Sequence, residues 1–568
     1  MEQAPWFRSY DEGVPKTLRP YPERTLLDYI ADTAREHPDL PALLFKGMRV
    51  SYGELDRITD AFAVSLAEQG VKKGDRVALL LPNCPQFIIA ELGAWKAGTT
   101  VCPLNPIYTE RELEEPLVNL GPETMVTLTP FYNRIKKIQP NTKLKRVIAT
   151  NIKEFLPPLL RFLFTLAKEK KEGHRIHLQP GDLWFSDLLK TKESMKKPSV
   201  SVGLDDPAVI LLSGGTTGTP KGAVGTHRCL VSSGLQLNAW VKNIKSASQD
   251  VVMLPLPLFH VYANAGIQCD SFVGGHALSL VPNPRDIKDI IHTIRKERPT
   301  FFISVPTLFI ALLNHPDVKA GKVDFKSIKL CISGAAPLMA ETKKSFEELT
   351  GGRILEGYSL TEAMMACTVN PALGVRKIGS IGLPLPDVEV RIADPEFGDK
   401  ILPSGEVGEV LMRAPQLMQG YWQNPVETAG VLQVHGEGGP WLHTGDLGYM
   451  DEDGYVFIVD RKKDVIKPSG FQVWPREVEE VVSSYPAVLE VGVAGISDDY
   501  QGEAVKAWVV LRPGQQTTAD EIRQYCRQKL APYKVPKHVE FRESLPKSMV
   551  GKVLRRVLAQ EERMKRTS

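Results

Sequence analysis

Seven cysteines in 568 residues, at 84, 102, 229, 269, 331, 367 and 526, form no CxxC pair and lie far apart. That spacing fits neither a disulfide framework nor a zinc cluster, and it points to a reducing compartment. No Asn-x-Ser/Thr sequon occurs, and Met1 to Trp6 lack a basic segment followed by an apolar run, so no secretory leader is expected. The last residues, Lys565-Arg566-Thr567-Ser568, are not a peroxisomal Ser-Lys-Leu address, which leaves the cytoplasm as the expected location. Excess charge is missing too. Seventy Lys and Arg against 67 Asp and Glu leave +3, so the chain has no bulk electrostatic reason to bind nucleic acid. The absence of a Gly-x-Ser-x-Gly elbow leaves a serine acyl-enzyme without a nucleophile.

Long apolar runs are also scarce. The stretch from Val251 to Cys269 is interrupted by Pro255, Pro257, His260 and Asn264, which reads as buried core rather than a membrane span. The run from Phe155 to Ala167 (FLPPLLRFLFTLA) is too short to span and continues into Lys168, Lys170 and Lys171. Apolar bulk beside lysines suits either a helix lying on a bilayer surface or a loop helix packed on its own domain.

What is present is ordinary globular material, with 43% hydrophobic and 24% charged residues, enough for one large domain and smaller ones. Strand-like and helix-like segments alternate: Arg76–Leu81, then a helix from Pro85 to Ala97; a strand over 208–212 and a helix over 227–243. The rhythm continues with a helix over 285–296, strands over 300–304 and 328–333, and a helix over 338–350. It predicts an α/β fold with parallel-type sheets flanked by helices. After 380 short strands between Gly and Pro turns (Val388–Ala393, Glu406–Arg413, Tyr455–Val459) predict a small β subdomain. A charged run begins at Asp460, and a helix-strand-strand-helix pattern follows it. The expected division is therefore residues 1–459 and an α+β domain of 460–568.

The most informative stretch is Ser213-Gly214-Gly215-Thr216-Thr217-Gly218-Thr219-Pro220-Lys221-Gly222. A buried strand, Leu211 and Leu212 among it, runs into glycines, hydroxyls and one lysine, a set of donors that can wrap phosphates. It is not a Walker A loop, because Pro220 precedes the lysine and no Ser/Thr follows it. Tyr358 offers an aromatic face, Glu362 a hard oxygen for a metal, and Asp446, after a glycine, a carboxylate able to accept two hydroxyls.

SGGTTGTPKG resembles the phosphate loop of the adenylate-forming superfamily, which holds acyl-CoA synthetases, luciferase and peptide-synthetase adenylation domains. Gly357-Tyr358-Ser359-Leu360-Thr361-Glu362 is similar to the family's adenine and magnesium motif, Trp441–Asp446 to its ribose motif, Asp460–Asp464 to its hinge, and Pro546–Lys552 to its catalytic-lysine loop. The resemblance covers roughly residues 25 to 560. It implies ATP, Mg²⁺ and coenzyme A as co-substrates and cofactor, and an ATP site of Ser213 to Thr219, Lys221, Gly334, Ala335, Glu356, Gly357, Tyr358, Thr361, Asp446 and Arg461. Glu362 and Thr216 are the implied metal ligands. Lys552 is the implied catalytic lysine, with Glu362 and Lys467 beside it in function; Asp460 is the implied pivot of a mobile carboxy-terminal domain. The loop of Lys467, Ser469, Gly470 and Phe471 is implied on the CoA side. Phe259, His260, Val261 and Tyr262 resemble the acyl pocket and gate.

Within the family the chain looks most like bacterial long-chain fatty-acid–CoA ligases, through the doubled glycine of SGGTTG, WLHTGD and the FLPPLLRFLF insertion. Ser359 stands where those enzymes often have Gly, and Lys467-Pro468 lies in a loop that is frequently uncharged. The rival readings are a short-chain, medium-chain or aryl acyl-CoA synthetase, a non-catalytic membrane-surface scaffold that keeps the fold, and a carrier-protein loading domain. The loading domain fits poorly, since no Gly-x-Asp-Ser carrier motif is attached. Contact with a membrane surface through 155–171 and a homodimer are further expectations.

Overall fold

The computed structural model describes residues 4–190, 199–213, 220–246, 248–396, 398, 400–436, 438–498, 500–548 and 551–567. Two large sheets carry most of the chain. In one, strands Arg76–Leu80, Thr100–Pro103, Thr124–Leu128, Arg146–Thr150 and Leu183–Trp184 run parallel, and Pro207–Ser213 joins beside Thr100–Pro103. The hairpin partner Lys221–Thr226 and then Gly420–Tyr421 close that edge in antiparallel sense. In the other, Pro41–Phe45, Ala277–Leu280, Val251–Leu254, Phe301–Ser304, Leu330–Ser333 and the start of Arg353–Leu360 are parallel. All four residues are buried in several of these strands, because helices cover both faces.

The helix Pro85–Lys96 shows the consequence for sequence. Every residue from Pro85 to Trp95 is buried, so its apolar positions follow no stripe. Trp95 donates from Nε1 to the Ala208 carbonyl at 2.8 Å and ties the helix to the first sheet.

The third sheet is antiparallel and contains Glu389–Ala393, Gly408–Arg413, Trp441–Met450 and Val456–Arg461. The carboxy-terminal domain has its own core around Val478, Val493, Val509 and Ile522. Its sheet pairs Val488–Asp498 with Gly502–Leu511, and a third strand, His538–Phe541, lies parallel to the latter. The expected helix-strand-strand-helix pattern, ending near 564, lacked the helix Ala519–Arg527 and that third strand, which stand between the two long strands' hairpin and the closing helix Arg555–Thr567.

All seven cysteines are buried and unpaired by disulfide. Residues 251–269 are core, as expected, but take the form of a strand, a loop and a π-helix over Tyr262–Gln268. No helix among the described residues is long and apolar enough to cross a membrane. The 155–167 segment divides its apolar side chains between solvent and core. It forms a helix over Pro158–Ala167 with Leu159 70%, Phe162 60% and Leu166 68% exposed, whereas Leu156 is buried and Phe155 and Phe164 pack on the core. Phe164 lies edge-on to His174, at 5.1 Å between ring centres.

Candidate active site

The strand Arg353–Leu360 builds the first wall of the site by changing partners. Leu330–Ser333 pairs in parallel with Arg353–Glu356; from Gly357 onward the partner is the antiparallel strand Met365–Val369. Tyr358 to Glu362 therefore project past the carboxyl edge of the parallel sheet, the edge where α/β sheets bind ligands. Glu356 stays behind, paired with Lys343 at 3.1 Å. Gly357 packs close to Thr368 and Val369, and Thr361 opens the single turn Thr361–Ala363 by accepting the Met364 N–H.

The neighbouring strand, Leu330–Ser333, leads into Gly334 and Ala335. A Cβ on Gly334 would stand 2.9 Å from Tyr262 Cε1, so only glycine leaves room for the ring. Ala335, exposed, takes the left-handed region at φ +67, a strain that residues other than glycine tolerate mainly at functional turns.

The second wall comes from the third sheet. Asp446 lies directly across from Arg461 in register, and Arg461 Nε meets Asp446 Oδ1 at 3.0 Å. The Tyr358 hydroxyl donates to Asp446 Oδ2 and so joins the two walls. Burial and the carboxylate next to it raise the Tyr358 pKa well above the usual phenol value, and Asp446 raises that of Arg461. Each Asp446 oxygen accepts one bond and keeps a further lone pair, the capacity a pair of ribose hydroxyls requires.

Glu362 accepts a 2.7 Å hydrogen bond from the Tyr421 hydroxyl, which also interacts with Ser213 at the end of its strand. Lys221 Nζ pairs with Glu427 at 2.5 Å and lies 5.3 Å from the centre of the Tyr421 ring. Residues 214–219, including the expected phosphate and metal contacts of Thr216, lie outside the described residues. No group of three or more His, Cys, Asp or Glu gathers for a metal among the described residues. One carboxylate is nevertheless sufficient for a magnesium ion that arrives on phosphates and keeps its waters, and Glu362 fits that role.

His260 lies half-buried at the start of the Tyr262 turn. Surrounding protein pushes its pKa down to about 4, so the ring is neutral near pH 7. Its Nδ1 accepts the Tyr262 backbone N–H at 3.3 Å, which assigns the ring proton to Nε2. Val261 is buried, Phe259 half-buried, and the Tyr262 hydroxyl donates to the Ile332 carbonyl at 3.0 Å.

Lys552 reaches this cleft from the carboxy-terminal domain. It sits on a small hairpin in which the Lys552 N–H meets the Ser548 hydroxyl at 3.2 Å, and the Ser548 N–H meets the Lys552 carbonyl at 2.8 Å. Gly551 turns that hairpin at φ +74, and a Cβ there would stand 2.4 Å from Thr307 Oγ1 of the large domain. Water reaches Lys552, but the protein crowded around it and the nearby Arg461 lower its pKa below the usual lysine value, while Asp446 opposes them. Lys552, Arg461, Asp446, Tyr358 and Glu362 thus share one cleft.

Lys467 and its loop do not. Lys467 is exposed and gives its backbone N–H to Glu503 at 2.7 Å, and Ser469 gives its own to Gln501 at 2.8 Å. Gly470 is exposed, and Phe471 stacks on Tyr533 at 4.8 Å. At Asp460, 4% exposed, three donors converge: the Arg461 and Arg476 N–H groups at 2.7 Å and Arg555 at 2.6 Å.

Tyr421, Glu427, Thr307 and Arg555 had no sequence signal. Tyr421 enters the site only because Gly420–Tyr421 pairs with Ala223–Val224, two hundred residues upstream.

The sequence model of the AMP-binding enzyme family matches residues 30–422, and that of the AMP-binding enzyme C-terminal domain matches 477–552. The chain belongs to the AMP-binding enzyme family, and its two-domain α/β fold is that of adenylate-forming enzymes. It is 39% identical over 564 residues to a long-chain-fatty-acid–CoA ligase of Bacillus subtilis, covering 99% of this chain and 98% of that one. It is 32% identical to 4-coumarate–CoA ligase 2 of Oryza sativa subsp. japonica, covering 94% and 91%. Among solved structures, ATP-bound MatB from Rhodopseudomonas palustris superposes with a TM-score of 0.79 at 29% identity, covering 95% of this chain and 99% of that one. The anthranilate CoA ligase AuaEII in complex with anthranoyl-AMP gives 0.84 at 25%, covering 96% and 99%.

Proposed function

We propose that this chain is an AMP-forming long-chain fatty acid–CoA ligase. A carboxylate attacks the α-phosphate of ATP to give acyl-AMP and pyrophosphate; the CoA thiol then displaces AMP, giving the thioester and releasing a proton. The observation that carries the reading is the convergence of Lys552 from one domain on Tyr358, Glu362, Asp446 and Arg461 of the other, in a chain alike over its full length to ligases of that name.

In this reading Tyr358 stacks on adenine, Asp446 accepts the ribose hydroxyls, and Gly334 and Ala335 expose backbone beside the base. Lys552 meets the negative charge that develops as pyrophosphate departs, the kind of preorganised charge that lowers a barrier most. Glu362 would hold Mg²⁺, which supplies charge neutralisation on the phosphates. Phe259, His260, Val261 and Tyr262 wall the acyl site, and the apolar Leu254–Leu258 run beside them favours an aliphatic over a polar acid. Asp460 is the pivot. Rotation about it withdraws Lys552 and brings the loop of Lys467, Ser469, Gly470 and Phe471 to the acyl-adenylate for thioester formation.

The deciding experiment is acid-dependent pyrophosphate release from ATP, measured from acetate to oleate with 4-coumarate included. Activity rising with chain length supports the reading; a maximum at 4-coumarate or acetate replaces it with the aryl or short-chain one. Glu362→Gln keeps the side chain's size and removes its charge. Turnover is expected to fall about tenfold or more and to recover partly at high magnesium. Unchanged magnesium dependence would take Glu362 out of the metal site.

The same reading includes contact with a lipid surface, where long acyl chains reside. Leu159, Leu160, Phe162, Leu163 and Leu166 are exposed on one short helix, and Lys168, Lys170 and Lys171 follow it. Shallow insertion with up to about 1 kcal/mol per lysine near anionic headgroups gives weak, reversible binding. Replacing Phe162 and Leu166 by Ser should lower liposome co-sedimentation and activity on vesicle-borne oleate severalfold, with octanoate activity and Tm unchanged. A parallel fall of both activities with Tm would make the helix part of the core.

A further inference from the structure

The helix Pro85–Lys96 is apolar on nearly every face and carries one carboxylate, Glu91, at 0% exposure. Burying a carboxyl is costly, and a leucine would fill the same space. Both Glu91 oxygens accept carboxamide donors: Asn264 Nδ2 at 2.7 Å and Gln268 Nε2 at 2.5 Å. Those two residues lie four apart on the π-helix Tyr262–Gln268, so one carboxylate holds two successive points of that helix and restrains its rotation and its height together. Desolvation pushes the Glu91 pKa up to about 7.

The held element touches each part of the acyl side. Its first residue, Tyr262, packs over Gly334 and donates to Ile332. In its middle, a Cβ on Gly266 would stand 1.7 Å from Met365 Sδ, three residues beyond Glu362. A π-helical turn is wider than an α turn, is rare, and occurs mostly where function requires a particular side-chain placement. Eight residues before Glu91, Asn83 donates to the Leu254 and Leu256 carbonyls at 3.1 and 2.7 Å and accepts the Leu258 N–H at 2.9 Å. Asn83 and Glu91 therefore grip the chain on either side of Phe259, His260 and Val261.

We propose that Glu91 is a positioning residue for the acyl site, a buried carboxylate that fixes the Tyr262–Gln268 turn and through it the width of the pocket at His260 and Tyr262. This rests on the reading of 259–262 as acyl wall. Glu91 is fully buried and bonded to that turn, so it acts through the turn and its effect belongs to the acid and not to ATP. With the full-length enzyme, Glu91→Leu should raise the KM for oleate about tenfold, the scale of losing a charge-assisted hydrogen bond and leaving two buried donors unpaired. The KM for ATP should stay within about twofold. Glu91→Gln should restore the oleate KM to within about threefold, because its amide accepts from one partner and the other carboxamide can turn to meet it. If Glu91→Leu does not accumulate as folded protein, Asn264→Ala, which removes one donor and keeps the carboxylate, should raise the oleate KM severalfold with the ATP KM unchanged.

Oleate and ATP KM values rising together, or an oleate KM unmoved by folded Glu91→Leu or by Asn264→Ala, would overturn the positioning role while leaving the ligase reading intact. A wild-type enzyme without acid-dependent pyrophosphate release would overturn both.

Discussion

Lys552→Ala should reduce acyl-AMP formation by about 10²- to 10³-fold, the usual effect of removing a single preorganised donor from developing charge. Thioester formation from supplied acyl-AMP should persist within about threefold, because in the proposed mechanism the lysine acts only while pyrophosphate leaves. The placement makes the expectation sharp. The Ser548–Lys552 hairpin fixes the lysine's backbone, Gly551 docks it against Thr307, and the charge environment it meets is that of Arg461 and Asp446. Tm should not move, since Lys552 is exposed and carries no packing load. Pyrophosphate exchange and single-turnover thioesterification measure the two halves separately, and equal loss in both would refute a division of labour between two domain orientations.

A larger structural effect is expected at Arg555. Its guanidinium holds Asp460 at 2.6 Å and Glu479 at 2.9 and 2.5 Å, and all three side chains are at most one-fifth exposed. Arg555→Leu leaves two enclosed carboxylates without a cation, which costs about 3 to 5 kcal/mol when one partner of a buried pair is removed. The loss should appear in calorimetry as a lowered transition of the carboxy-terminal domain. Its pH dependence has a definite sign. Burial already raises the Glu479 pKa above the usual carboxylate value, with Arg555 opposing the rise. Without the arginine that pKa climbs further, so the folded variant binds a proton more readily than its unfolded chain, and the penalty is largest at neutral pH and shrinks as pH falls through the new value. Because Arg555 follows Lys552 by three residues and binds Asp460, the proposed pivot, acyl-AMP formation should suffer more than thioester formation. A transition temperature equal to wild type would show that the network contributes nothing net.

Much of the order of elements is legible in the hydrophobic pattern. Arg76–Leu80, Pro85–Lys96 and Ala340–Thr350 lie within two residues of the segments their hydrophobic patterns predict, because each is bounded by local turn or capping chemistry. The second half of the strand Arg353–Leu360 carries no strand pattern of its own and exists only by pairing with Met365–Val369. His538–Phe541 was missed for the same reason: four residues with two apolar ones form a strand only along the edge of Gly502–Leu511. The apolar residues at 155–167 left a surface helix and a packed one open, and the structure divides them: Leu156 and Phe164 turn inward and Leu159, Phe162 and Leu166 outward. Hydrophobicity marks both fates alike.

Residue type and local spacing already name the chemistry on offer: the phosphate-type loop after Leu212, the Tyr358–Glu362 pair, Asp446 with its glycine, and Lys552 between Gly551 and Val553, since each is a local pattern whose donors and acceptors follow from residue type. Which of these groups meet is set by long-range packing. Lys552 joins Asp446 and Arg461 while Lys467 stays with Glu503, because domain packing and not spacing sets the hairpin's position against Thr307. Tyr421 reaches Glu362, and Glu91 grips Asn264 and Gln268, through strand and helix packing that closes separations of 59, 173 and 177 residues. Hydrogen bonds over such separations leave no trace in local periodicity, for they form only after the burial of the surrounding apolar surface has paid the entropy of bringing the chain together.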